Sequence, residues 1–249
     1  MEERRAPILD RLDPARTEQL WTIMGWDGPS PNHGDALPAL FHHLYFWPTP
    51  GAPLVTFPKL GLPRRVAAGG KFVFHAPLRL GITAEKASIL RGTARKTGQS
   101  GPLALVTLRH EVRQRGALVL TEDQEFLFCE ALYQDSAIDA EQSPNQCLPI
   151  QIRMDDVFRY SALTMTYNPV CLCEETARKD GYSAPVVQAA FLAIWLARLA
   201  QSRIGALTQF QYRTFAPLYV DEPGELCANG NQLWVRGQDR RLIMTAKAA

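Results

Sequence analysis

Side chains able to move a proton or attack a carbonyl are few and unevenly spread in this 249-residue chain. Its five histidines, His33, His42, His43, His75 and His110, all lie in the first half, which excludes chemistry that draws an imidazole from the second. The five cysteines, Cys129, Cys147, Cys171, Cys173 and Cys227, are odd in number and lack the dense, even spacing of a disulfide framework. They read as free thiols of a reducing, cytoplasmic compartment. Cys171-x-Cys173 has no second Cys-x-x-Cys and no downstream histidine to complete four zinc ligands, so structural thiols are expected and neither metal nor other cofactor. The His42-His43 pair offers an imidazole able to face a substrate cavity, against the alternative of a hydrogen-bonded helix histidine. Arg64 and Arg65 carry guanidinium forks suited to phosphate oxygens, an ordinary solvated pair being the equal alternative. His75 and His110 sit in strand patterns and read as structural.

Composition bounds what these groups can serve. Hydrophobic residues at 46% and charged residues at 21% exclude a disordered tail, a collagen-like fibre or a coiled coil as the whole answer. A net charge of +2 leaves no footprint for nucleic acid or an anionic membrane surface. The start, Met1 to Arg5, leads into no apolar signal core, and the most apolar run, Ala184 to Ala200, is interrupted by Gln188 and Arg198 and short of the ~20 residues of a bilayer span. A soluble cytoplasmic protein is expected.

The elements that must position the candidates can be read from periodicity. Residues 1–133 and 151–249 form two strand-rich halves, joined by a polar linker over 134–150. In the first half, Phe72 and Phe74 alternate with polar neighbours, followed by runs at Ala84–Arg95, Leu103–Val112 and Leu118–Phe128, the last two joined by a hairpin at Gln114-Arg115-Gly116. In the second, runs at Phe210–Leu218, Glu225–Ala228, Gln232–Val235 and Leu242–Ala246 include a turn at Asn229-Gly230. Between linker and strands, thirteen of the fifteen residues Val186–Ala200 are apolar, so this helix must be enclosed rather than lie on a surface. It would run ~22 Å at ~1.5 Å per residue, with Ser183 as N-cap and Pro185 in the first turn. A helix wrapped by antiparallel strands is the hot-dog arrangement. Phe74-His75-Ala76-Pro77-Leu78 and Phe215-Ala216-Pro217-Leu218 form a faint repeat, which favours an α+β double hot-dog, two antiparallel sheets each around a helix. The first half's helix candidate is Leu37–Trp47, with Leu40, Leu44 and Trp47 on one stripe.

Several segments resemble a known family. Leu37-Pro38-Ala39-Leu40-Phe41-His42-His43-Leu44-Tyr45-Phe46, Leu62-Pro63-Arg64-Arg65 with Ala68-Gly69-Gly70, Lys96-Thr97-Gly98-Gln99-Ser100-Gly101-Pro102-Leu103 and Thr121-Glu122-Asp123-Gln124-Glu125 look like the N-terminal half of the mesaconyl- and itaconyl-CoA hydratases, within the MaoC-like double hot-dog hydratases and dehydratases. Phe158 to Thr164, Glu175 to Val187 and Phe215 to Leu218 extend the resemblance over most of the chain. It implies an acyl-thioester substrate and an acid–histidine pair, in the pattern D-x-N-P-x-H, that holds water and exchanges its protons. Here that segment reads Thr166-Tyr167-Asn168-Pro169-Val170-Cys171, with threonine at the acid position and cysteine at the histidine position. The helix N-terminus departs too, with Tyr182-Ser183-Ala184 and Gln188-Ala189-Ala190 where the family has glycine-rich runs, although its backbone N–H groups can still hold a thioester carbonyl.

The candidate catalytic residues are therefore Asn168, Cys171, Thr166 and Tyr167, and the candidate substrate-binding residues His42, Tyr45, Ser183, Ala184, Gln188, Arg64 and Arg65. The leading expectation is a lyase that adds or removes water at an enoyl or 3-hydroxyacyl thioester of coenzyme A or a carrier protein. The alternatives are a repurposed cyclase that closes a ring in a polyketide-like or polyunsaturated substrate, and a non-catalytic acyl-binding subunit. Exposed sheet edges make a homodimer the expected assembly.

Overall fold

The computed structural model describes residues 7–47, 57–98, 101–130, 138–140 and 143–249. The N-terminal Met1–Arg5, Gln99-Ser100 of the resemblance and positions 134–137, 141 and 142 of the expected linker lie outside the described residues. The chain divides into two compact units, Met1–Gln19 with Asp27–Ala131 and Leu20–Trp26 with Leu132–Ala249. No helix among the described residues is long and apolar enough to cross a membrane.

The first unit holds five antiparallel strands: β1 (Ile8–Arg11), β2 (Arg64–Phe74), β3 (Thr83–Gly98), β4 (Gly101–Gln114) and β5 (Ala117–Cys129), in the spatial order β1-β3-β4-β5-β2. Helix α1 (Pro14–Ile23) follows β1, the Asp13 carboxylate accepting the Ala15 N–H at 3.0 Å. The expected β4–β5 hairpin turns at Arg115 and Gly116, whose φ values of 52° and 80° are the left-handed pair of a tight turn that follows strand twist. Strict alternation along β4 sends Val106, Leu108, His110 and Val112 to the core face. Register then makes Ser88, His110, Glu122 and Phe72 direct neighbours across β3, β4, β5 and β2. Polar groups thereby enter the core as one row.

The second unit repeats this plan. Strands β6 (Gln146–Gln151), β7 (Gln209–Thr214), β8 (Pro223–Asn229), β9 (Gln232–Arg236) and β10 (Leu242–Ala248) lie in the order β6-β8-β9-β10-β7, the first unit's order with each strand replaced by its counterpart. Helices α2 (Met154–Thr164), α3 (Pro169–Leu172), α4 (Glu174–Lys179) and α5 (Ala189–Ile204) precede β7. The faint sequence repeat falls on equivalent bonds. The His75 and Ala76 N–H groups donate to Val119 O at 2.9 and 3.3 Å, and those of Phe215 and Ala216 donate to Ile243 O at 2.9 and 3.3 Å. Likewise the Leu37 N–H donates to Leu78 O, and that of Val187 to Leu218 O.

Four sequence expectations need correction. α5 begins at Ala189 rather than near Ser183, because the Val186 and Val187 N–H groups are drawn into bonds with Val170 O and Leu218 O that hold the chain extended. The proposed first-half helix is only a 3-10 turn, Phe41–Leu44, bounded by left-handed Leu40 (φ 67°) and Phe46 (φ 62°), so an α-helix cannot propagate through it. Residues 146–150 of the expected linker lie in strand β6, which pairs with β8. Finally, Cys147 and Cys227 are not free thiols. They face one another in the β6–β8 register with Cα atoms 4.3 Å apart and form a disulfide, leaving Cys129, Cys171 and Cys173 as thiols. The odd count concealed a pair, and it gives no argument for a reducing compartment.

α5 is enclosed as its composition requires. Phe191, Leu192, Ala193, Ile194, Leu196, Ala197, Leu199 and Ala200 are buried, and the helix packs on β7, β8, β9 and β10. Arg198 is exposed, its guanidinium lying 5.3 and 4.9 Å from the ring centres of Trp21 and Trp26.

Candidate active site

In the second unit, the segment expected to carry catalysis lies beside the approach to α5, tied there by the Val186 N–H to Val170 O bond. Its side chains are poorly suited to proton transfer. Cys171 is 1% exposed, and burial pushes its thiol up to about 12, so no thiolate base forms near neutrality. The Thr166 hydroxyl donates to Thr164 Oγ1 at 2.7 Å, since that oxygen's own proton goes to Tyr160 O. Tyr167 is 79% exposed. Asn168 precedes α3, where its backbone O accepts the Cys171 N–H, and its side chain makes no cap bond.

The binding candidates are dispersed. Gln188 precedes α5 and donates through Nε2 to Val157 O and Ser161 Oγ, leaving its Oε1 buried without a partner. Ser183 is exposed and Ala184 half-buried on the extended approach. In the first unit, Tyr45 is a core hydroxyl, donating to Asp13 O at 2.7 Å and accepting from Thr17, and burial pushes it up to about 12. Arg64 donates to Glu130 O, and the Arg65 guanidinium lies over the rings of Phe57 and Phe126 at 5.0 and 5.4 Å.

Of these, only His42 enters a titratable cluster, together with His43, its neighbour in the pair read from sequence, and Glu122, which was not singled out. Glu122 of β5, 2% exposed, accepts from His42 Nε2 at 3.0 Å through Oε2. Through Oε1 it accepts from His43 Nε2 at 2.9 Å and Gln124 Nε2 at 2.8 Å. Burial pushes the Glu122 carboxyl up, but the charges and hydrogen bonds of His43 and His42 outweigh it and hold the group well below the usual carboxylate range. His42 is lowered to about 4 by burial and by His43, Glu122 opposing. Because a carboxylate only accepts, both imidazoles present Nε2–H to it and carry a bare Nδ1 when neutral.

The rest of the row supports this carboxylate. His110, lowered to about 4 chiefly by burial, accepts the Ser88 hydroxyl on Nδ1 at 2.7 Å and is hydrogen-bonded to Gln124, which in turn holds Glu122. Lys86 of β3 is lowered by burial, while Glu122 and Asp10 act in the opposite direction; its ammonium lies 5.4 Å from the centre of the Phe46 ring. The donor atoms of His42, His43 and Glu122 fall within 4.8 Å of one another, a grouping that invites comparison with a metal site. The 2.9 and 3.0 Å N···O separations are those of direct hydrogen bonds. They are shorter than the about 3.4 Å that two tetrahedral bonds to one zinc ion would impose. The arrangement is a carboxylate orienting two imidazoles, which is a means of proton transfer. A partial signal was present in sequence, as Thr121–Glu125 belonged to the resemblance, but which of its five polar side chains faces the histidines depends on how the strand is set in the sheet.

Known proteins share this architecture. Residues 45–220 match the family described as hydroxyacyl-thioester dehydratase type 2. The mesaconyl-C(4)-CoA hydratase of Chloroflexus aurantiacus is 30% identical over 231 residues, covering 84% of this chain and 81% of that protein. The crystal structure of HtdX from Mycobacterium tuberculosis superposes with a TM-score of 0.71 at 17% identity, over 100% of this chain and 99% of that one. A MaoC-like dehydratase from Phytophthora capsici gives 0.69 at 11% identity, over 100% and 95%. These two solved structures establish the hot-dog fold that the duplicated strand order displays. With the family match running through most of both units, the chain belongs to the hydroxyacyl-thioester dehydratase type 2 family of MaoC-like hydratases and dehydratases.

Proposed function

We propose that the protein adds water to, or removes it from, the carbon–carbon double bond conjugated to an acyl-thioester carbonyl, interconverting an enoyl and a 3-hydroxyacyl thioester of coenzyme A or a carrier protein. The observation that carries this reading is the buried, ionised Glu122 held between His42 and His43. Hydration requires a group that accepts a proton from water and returns one to carbon, and an imidazole oriented by a carboxylate serves both steps near neutral pH. Family membership supports the substrate class, and the relative's name specifies hydration of a CoA thioester. Neither ring closure nor purely passive acyl binding has an observation in its favour.

The test is a panel of enoyl-CoA thioesters of differing chain length, some with a second carboxylate, followed by loss of the conjugated thioester absorbance. Saturable turnover of at least one is expected. No turnover across the panel contradicts the reading.

A further inference from the structure

If water is added across an enoyl thioester, some group must exchange its proton, and the segment 166–171 offers none: Cys171 is buried and protonated, and Thr166 is committed to Thr164. In the first unit, among the described residues, one atom of Glu122 and its donors is a buried polar nitrogen without a hydrogen-bond partner. His43 Nδ1 is buried and has no hydrogen-bond partner, although the same ring's Nε2 is fixed on Glu122. A buried polar nitrogen without a partner carries a desolvation cost that a bound water or substrate group would relieve. The His43 side chain is 14% exposed, against 3% for His42 and 2% for Glu122, so it is the least enclosed member of the trio.

We propose that His43 is the acid–base residue of the hydration site, acting through Nδ1, with Glu122 as its positioning residue. This rests on the hydration reading and relocates its proton transfer to the first unit. In the forward direction, the water oxygen bonds to C3 of the enoyl thioester, the π pair moves to C2 and the carbonyl, and the water's proton passes to His43 Nδ1. The protonated ring then gives that proton to C2, so one H and one OH have been added and His43 is again neutral. Dehydration is the reverse. Glu122 fixes the ring through Nε2–H, and Gln124 fixes Glu122. His110 is a poorer candidate, its Nδ1 already bonded to Ser88.

The informative variant is His43→Gln, because the glutamine amide can keep the bond from the Nε2 position to Glu122 while deleting Nδ1. It is compared with Cys171→Ser and Glu122→Gln on the thioester that the wild type turns over best. His43→Gln is expected to slow turnover at saturating substrate by about two orders of magnitude or more, with KM within about threefold. Cys171→Ser should turn over at close to the wild-type rate, and Glu122→Gln should show an altered pH profile. Imidazole 15N shifts of the wild type should show His43 protonated on Nε2 and bare on Nδ1. An active wild type whose His43→Gln variant keeps more than a third of the turnover rate, or a His43 protonated on Nδ1 and bare on Nε2, overturns the assignment alone. A wild type inert on every thioester overturns the hydration reading and the assignment with it.

Discussion

Glu122 stays ionised in the core because three side-chain donors replace the water it has lost, and the same desolvation keeps His42 and His110 neutral. Stability should follow the histidines as acidity rises. Each has a folded pKa of about 4 against an ordinary 6.5, so between those values the unfolded chain binds protons that the folded chain refuses. Their contribution is complete above pH 6.5 and is lost as pH falls toward 4, on the order of 3 kcal/mol per group. The Glu122 contribution, present above the ordinary carboxylate pKa, is lost only at still lower pH. Melting temperature should therefore drop between pH 6.5 and 4, and less steeply in His110→Gln; a flat profile over that range contradicts the burial argument. Of this cluster, His42 was legible in the aromatic-histidine run, whereas Glu122 was not. Its role arises from lying opposite His110, a partner set by the β4–β5 register. His110, read from its strand pattern as structural, supports the carboxylate through Gln124.

At the level of elements, α5 and the hairpin at Arg115-Gly116 were plain in the sequence, because an all-round apolar helix and a left-handed turn each have a local physical signature. The start of α5 and the reduction of the Leu37–Trp47 segment to a 3-10 turn were not. Both depend on backbone bonds from segments remote in sequence, Leu218 O for Val187 and Leu78 O for Leu37. The consequence for function is that the first unit presents two histidines on a short 3-10 turn, whereas the second has the long, largely apolar α5. α5 should be the main source of cohesion in its unit. Leu196→Ala, at a fully buried position, should cost about 2–5 kcal/mol in denaturant unfolding; a change under 0.5 kcal/mol would show that α5 is not enclosed.

Across the whole molecule, the duplicated strand order was legible only as a repeat of a few residues, and it became firm through matching hydrogen bonds at Val119 and Ile243. The Cys147–Cys227 disulfide was hidden because pairing between β6 and β8 joins residues 80 apart in sequence. Thiol titration of the unfolded, unreduced chain should find three reactive cysteines, Cys129, Cys171 and Cys173. Reduction should lower stability by about 2–4 kcal/mol, and five reactive thiols without reductant would contradict the pairing. The claim on which the functional account turns is that water, with a proton delivered by the protein, is added across an enoyl thioester. Its most direct test is the mass of the product formed from an enoyl-CoA in D2O. The account predicts gain of one solvent water, with a deuterium on the carbon next to the carbonyl. A rearranged product of unchanged mass, or unaltered substrate, would contradict it.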